Sequence, residues 1–211
     1  YRVIAIDNLY TGSRRNIAHL SERNTFTFEE FDILEKYDAE CDLILNFACP
    51  ASPPKYQANP INTMRVNFEG TLNLLELARE NNATFIQAST SEVYGDPEVH
   101  PQPESYRGCV NTVGPRACYD EGKRIAETLC YEFREQYGVD TKIVRIFNTY
   151  GPRMDPNDGR VISNFLNQGL RGEKLTIYGD GMQTRSFTYV SDLIDGVMRV
   201  CAIPENIFGP I

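Results

Sequence analysis

Tyr119 and Lys123 stand four residues apart in "GPRACYDEGKRIAE", within a stretch whose apolar spacing (Ile125, Leu129, Phe133) predicts a helix over 119–138 with a Gly stop. A spacing of four puts both side chains on one helix face, where an ammonium favours phenolate and draws a tyrosine toward the range of a general base. Upstream, "STSEVYGDP" (89–97) sets Ser89, Thr90 and Ser91 beside Glu92 at the end of an apolar run. A hydroxyl-rich strand end at this point strengthens the reading of Tyr119 as a base. Asp7 closes the first apolar run and is followed by "NLYTG". An acidic residue at such a strand end accepts hydrogen bonds from adenosine ribose hydroxyls and repels a 2′-phosphate, which favours NAD over NADP. "GDGMQT" (179–184) has two glycines of a G-x-G-x-x-G turn but lacks the third and opens no helix, so it reads as a turn. The glycine-rich turn is expected just before Tyr1.

The elements that position these groups follow from periodicity. "RVIAI" (2–6), "DLILNFA" (42–48), "TFIQAS" (84–89) and "TKIVRIF" (141–147) are short apolar runs with polar or small ends, as buried parallel strands have. Between them, 60–82 starts with Pro60 and carries Ile61, Met64, Phe68, Leu72, Leu75 and Ala78 at helical spacing. Strands alternating with long helices imply right-handed βαβ units and an α/β, doubly wound parallel sheet of the Rossmann kind. Its ligand crevice lies at the strand tails Asp7-Asn8, Ala48-Cys49, Ser89-Thr90-Ser91 and Asn148-Thr149. Residues 1–150 read as the dinucleotide-binding domain. From 151 to 211 the chain is richer in Gly, Asn and Asp, with shorter strand candidates at 175–181 and 185–190, and reads as part of a smaller substrate lobe. "PASPP" (50–54) fixes a stiff turn.

Composition narrows the function classes. At 211 residues and 41% hydrophobic content the chain can bury a sizeable core, and a net charge of −8 argues against nucleic acid or an anionic membrane as partner. The six cysteines form no C-x-x-C pair and both histidines stand alone, so no metal site is expected. Cysteines scattered through apolar runs suit a reducing compartment, so a cytoplasmic setting is expected, although a Golgi-lumen protein freed of its anchor reads the same way. The chain opens on "YRVIAID" without Met and closes on "NIFGPI" as an apolar stretch begins, which reads as an internal piece of a longer polypeptide.

"DNLYTG", "NFACPASPP", "STSEVYGDPEVHP", "GPRACYDEGKRIAE", "RIFNTYGPRM" and "YGDGMQTRSF" together resemble the extended short-chain dehydrogenase/reductases that act on nucleotide sugars, most of all their UDP-glucuronate decarboxylase (UDP-xylose synthase) branch. The resemblance runs through nearly the whole chain, though the family extends further at both ends. It implies that NAD oxidises the 4-hydroxyl of UDP-glucuronate, that the 4-keto acid loses carbon dioxide, and that the ketone is reduced to give UDP-xylose. Tyr119 would take the hydroxyl proton, Lys123 would depress its pKa and hold the nicotinamide ribose, and Thr90 would hydrogen-bond the same oxygen. Glu92 and Ser91 would face the sugar's carboxylate. The related 4,6-dehydratases carry Asp where Ser91 stands, and the 4-epimerases normally lack an equivalent of Glu92. The bland alternative for this pair is a Ser and Glu binding loop amides or water.

Further positions carry over through the resemblance. Asn8, Thr11 and Gly12 match the adenosine loop, Asp32 and Ile33 the adenine edge, Phe47 and Ala48 the strand end over the cofactor, and Thr149 the nicotinamide neighbourhood. Asn148 and Arg185 match diphosphate contacts, with Arg160, Tyr178 and Arg65 as further substrate-side candidates. A homodimer is expected through helices 60–82 and 119–138, which are apolar on more than one face. The alternatives are a 4,6-dehydratase of the dTDP-glucose type, a 4-epimerase and, from another class, an NAD-sensing binding protein without turnover.

Overall fold

The computed structural model describes residues 1–204 and 207–211. Strands form where branched and aromatic residues cluster. They are β1 (Val3–Asp7), β2 (Phe26–Glu30), β3 (Leu43–Asn46), β4 (Thr84–Thr90), β5 (Thr141–Ile146), β6 (Asn148–Tyr150) and β7 (Phe187–Tyr189). They pair in parallel as β1-β2, β3-β4-β5 and β6-β7. The expected parallel architecture is present, but as three short ladders. The most continuously buried strand, β4, is the central strand of the largest ladder, with Phe85 and Ile86 fully buried.

Helices fill the connections as α1 (Pro53–Ala58), α2 (Pro60–Arg65), α3 (Thr71–Asn81), α4 (Ala117–Tyr137), α5 (Val161–Leu170) and α6 (Val190–Cys201). The stretch read as one helix over 60–82 is interrupted by a π-helical turn, Val66–Gly70. Within that turn the buried Asn67 donates to Thr63 O at 2.9 Å and to Cys49 Sγ at 3.1 Å, tying the turn to the end of β3. Such bulges mark places where a side chain must be delivered off the regular helical path. Gly70 touches Ile33 so closely that a β-carbon would fall 2.5 Å from its Cδ1. At the far end of α4, Gly138 adopts φ +72° and its N–H caps Arg134 O at 2.9 Å, so the Gly stop acts as read.

The main core gathers Leu74, Leu75, Leu77 and Ala78 of α3, Cys130 and Phe133 of α4, Phe85 and Ile143 of the central ladder, and Ile33. Each large side chain so buried contributes about 1.5–3 kcal/mol. Three sequence expectations are corrected. Strand β2 was not anticipated, because Phe26 and Phe28 alternate with exposed Thr27, Glu29 and Glu30 and make no apolar run. Residues 175–181 form no strand, and the second candidate of that region shortens to β7.

Candidate active site

Strand β4 ends at Thr90, where the backbone is still extended, and the Thr90 side chain accepts from Glu92 N at 3.3 Å to start a 3-10 turn over Ser91–Tyr94. Gly95 closes this turn at φ +65°, with so little room that a β-carbon would lie 2.1 Å from Cys109 O. Thr90, Ser91 and Glu92 are thus delivered from one strand tail toward the first turns of α4. There Tyr119 is buried and stacks on Tyr56, with ring centroids 4.9 Å apart and planes at 10°.

Lys123 follows one turn later. Its buried ammonium donates to Ala88 O at 2.8 Å and lies 5.9 Å from the Tyr119 ring centroid. This changes the acid–base picture drawn from the spacing. Burial pushes the Tyr119 phenol above its ordinary pKa and the neighbouring Cys49 adds to the rise, while a hydrogen bond with Thr90 and the charge of Arg160 oppose it. In this state the Lys123 ammonium is anchored to the β4 backbone, so any effect it has on the phenol acts through space.

Glu92 forms an ion pair with Arg116, and Ser91 is half-buried at the opening of the 3-10 turn. Arg116, Asp120 and Tyr56 were not singled out from the sequence, whereas Cys49 was placed at the crevice as a strand tail. Arg116 and Asp120 flank Tyr119 at i and i+4, which was the available signal. What brings them to the site is the fold of the strand tail across them.

A pocket beside this cluster is lined by Asp7, Asn8, Tyr10, Thr11, Asp32, Ile33, Phe47, Ala48 and Cys49. Its rim is ordered by side chains. Asp7 Oδ1 accepts from Leu9 N at 2.6 Å, Asn8 donates to Asp32 Oδ2 at 2.9 Å, and Asp32 Oδ1 accepts from Leu34 N at 3.0 Å. Gly12 packs on the Asp7 carboxylate, where a β-carbon would lie 2.8 Å from Oδ2. A carboxylate at a strand end, backed by a glycine and opening on an apolar floor, suits the adenosine half of a dinucleotide with free ribose hydroxyls.

The substrate-side candidates are more dispersed. Thr149 bonds the Phe147 carbonyl at 3.2 Å, and Asn148 donates to Ser186 O at 3.3 Å. Arg160 is paired with Asp158. Arg185 is exposed and donates to the adjacent Thr184 O, and Tyr178 is exposed. Arg65 at the end of α2 makes a two-pronged pair with Glu69 of the π turn, at 2.7 and 3.0 Å for the Oε2 contacts, and does not line the pocket. Among the described residues no cluster of His, Cys, Asp and Glu could hold a metal ion, and no helix is long and apolar enough to cross a membrane.

The family described as the NAD dependent epimerase/dehydratase family matches residues 1–210. UDP-glucuronic acid decarboxylase 1 of Xenopus tropicalis is 53% identical over 211 residues, all of this chain and 50% of that protein. The chain thus spans about half the length of this curated relative. Among solved structures, UDP-N-acetylglucosamine 4-epimerase from Methanobrevibacter ruminantium M1, in complex with UDP-N-acetylmuramic acid, superposes with a TM-score of 0.86 at 30% identity, covering 100% of this chain and 68% of that one. UDP-glucuronic acid 4-epimerase from Bacillus cereus, in complex with UDP-glucuronic acid and NAD, gives 0.82 at 28% identity with the same coverages of 100% and 68%.

Proposed function

From the premise that this chain belongs to the NAD dependent epimerase/dehydratase family, we propose that the protein decarboxylates UDP-glucuronate to UDP-xylose through a 4-keto intermediate, with NAD held by Asp7, Asn8, Thr11, Gly12, Asp32, Ile33, Phe47, Ala48 and Thr149. When bound, NAD supplies the acceptor for two electrons from the sugar's C4 and gives them back at the end. The observation that carries the choice among family reactions is the pair Ser91-Glu92 after Thr90, next to buried Tyr119 and Lys123.

Tyr119 accepts the proton of the 4-hydroxyl, and Thr90, already bonded to the phenol, steadies the same oxygen. Lys123 holds its charge close to the Tyr119 ring. Once a ketone stands at C4, the carboxylate at C6 belongs to a β-keto acid and leaves as carbon dioxide. Glu92 and Ser91 face that end of the sugar. A second carboxylate at position 91 would add about 4 kcal/mol of repulsion against a sugar carboxylate about 4 Å away at an effective dielectric near 20. Serine adds none, and as a poor general acid it cannot drive the loss of a 6-hydroxyl in the manner of a 4,6-dehydratase. Asn148 of β6 and Arg185 and Arg160 from the residues after Gly151 are proposed to meet the nucleotide diphosphate, with Tyr178 against the uracil, and this reading leaves Arg65 as a surface charge.

The relative from Xenopus, 53% identical and named for this activity, supports the assignment. We further propose a homodimer through α2–α3 and α4, supported by exposed Ile61, Met64, Phe68 and Ile125. The test is to incubate full-length protein with UDP-glucuronate and catalytic NAD. Carbon dioxide and UDP-xylose should form without net NADH. Formation of UDP-galacturonate would replace the assignment with epimerisation, accumulation of a UDP-4-keto sugar would mean a dehydrogenase that stops halfway, and no turnover would favour an NAD-sensing protein.

A further inference from the structure

Three groups around Tyr119 have no task in that scheme beyond packing. Arg116 and Asp120 are one helical turn apart at the start of α4, Tyr56 of α1 stacks on the Tyr119 ring, and Arg116 is ion-paired with Glu92. Asp120 is 7% exposed and Tyr56 1% exposed, yet Asp120 Oδ1 and the Tyr56 hydroxyl each have no hydrogen-bond partner among the described residues. An unpaired buried polar group costs about 1–3 kcal/mol, so two in one cluster call for an explanation.

The charges facing Asp120 are Glu92 from the 3-10 turn, Arg116 and Glu121 from its own side of α4, and the Tyr56 phenol from α1. Two further carboxylates therefore stand against one guanidinium. Burial first, and Glu92 second, push the Asp120 carboxyl up to about 6, with Arg116 opposing. Burial likewise lifts Tyr56 to about 12, so the phenol stays neutral and adds no charge. Asp120 is thus ionised at neutral pH but close to taking a proton.

A sugar acid brings one more negative charge to Glu92. A further like charge close to Glu92 pushes the Asp120 carboxyl up in the same direction as Glu92 already does, toward the protonated form at neutral pH. We propose that Asp120 is the charge-compensating residue of the sugar-acid site and takes up one proton as the substrate carboxylate enters beside Glu92. The inference rests on the reading that the carboxylate end of UDP-glucuronate faces Glu92.

Proton uptake at this point matches the chemistry. Breaking the C5–C6 bond releases carbon dioxide and leaves its electron pair at C5, where a new C–H bond forms. Tyr119 returns to O4 the proton that it removed. The complete reaction therefore consumes one proton, the same number that Asp120 takes up at binding.

The experiment is isothermal titration calorimetry on full-length NAD-loaded protein carrying Tyr119→Phe, which keeps the ligand intact, at pH 7.0 in two buffers of different ionisation enthalpy. UDP-glucuronate should bind with uptake of more than about half a proton, while UDP-xylose, which lacks the carboxylate, should bind with none. Adding Asp120→Asn should abolish the uptake while binding persists, and Asp120→Glu should restore it in part. Equal uptake for the two ligands, or full uptake in Asp120→Asn, overturns the proposal. If Asp120→Asn does not fold, the comparison of the two ligands on protein with Asp120 intact still decides. Failure of folded, NAD-loaded protein to bind UDP-glucuronate at all would instead remove the proposed function on which the inference stands.

Discussion

At the scale of single residues, the tension lies in Tyr119. The phenol proposed as the base is buried, and burial raises its pKa, with the Thr90 hydrogen bond and the charge of Arg160 favouring the ionised form. The nearby cation at Lys123 is held to the Ala88 carbonyl at 2.8 Å, so its effect on the phenol has to act through space. This yields a pH prediction with a definite sign. Removing a positive charge near a phenol disfavours phenolate and moves its apparent pKa up. In Lys123→Met the acid limb of kcat/KM should therefore shift to higher pH, with activity at pH 7.5 down about 10- to 100-fold for one to two units and partly recovered in more alkaline buffer. Tyr119→Phe should show no recovery at any pH. A Lys123→Met profile that is lower everywhere but unshifted would mean that the lysine only positions ligand. The meeting of Tyr119 and Lys123 with the strand tail that carries Thr90 and Glu92 was legible because spacing on a helix and position at a strand end are properties of sequence. Arg116, Asp120 and Tyr56 were not, because their significance is a meeting of α1, α4 and the β4 tail that no local pattern encodes.

At the scale of elements, the site depends on how closely α4 approaches the π turn at Val66–Gly70. Gly122, one residue before Lys123, lies against Asn67, and a β-carbon there would fall 2.9 Å from Asn67 Nδ2 and 3.1 Å from its Cβ. Asn67 has little freedom to yield, since it is bonded to both Thr63 O and Cys49 Sγ. Gly122→Ala should accordingly destabilise the protein by about 1–3 kcal/mol, the usual cost of overpacking. Gly169→Ala in α5, where nothing lies within 4 Å, should be neutral or stabilising by up to about 1 kcal/mol. Denaturant midpoints for the two variants check this, and equal midpoints would mean that α4 and the π turn are not in contact as described. The same two elements show where pattern reading ends. α4 declares itself through a sustained 3.6-residue period and its Gly138 cap. The π turn leaves the apolar period of 60–82 almost untouched, because one slipped hydrogen bond shifts a face without changing residue types. Strands β3, β4 and β5 were visible as apolar runs because burial demands them, whereas β2 keeps an exposed face and hides in an alternation of Phe with Thr and Glu.

At the scale of the whole molecule, the apolar surface of the helices that frame the site bears on assembly. Ile61, Met64 and Phe68 recur at near-helical spacing along α2 and the π turn and are exposed, Ile61 at 73%, and Ile125 is exposed on neighbouring α4. Their opposite faces already pack on the core through Val66, Leu74 and Leu75 of the first helical stretch and Cys130 and Phe133 of α4. A helix with a second apolar face has a second partner, and two such helices meeting their copies across a two-fold axis make a four-helix bundle. Because a two-fold interface uses the same patch twice, one substitution enters it twice. Phe68 lines neither the pocket beside Asp7 nor the Tyr119 cluster, so a charge there tests assembly without touching the proposed chemistry. Phe68→Glu should weaken association by about 3 kcal/mol or more, which is about 100-fold in the dimer dissociation constant. Sedimentation equilibrium of the full-length protein should give a dimer mass for the unmodified chain and a monomer mass for the variant at low micromolar concentration. A monomeric unmodified protein, or a variant that stays dimeric, would show that this face meets something other than its own copy.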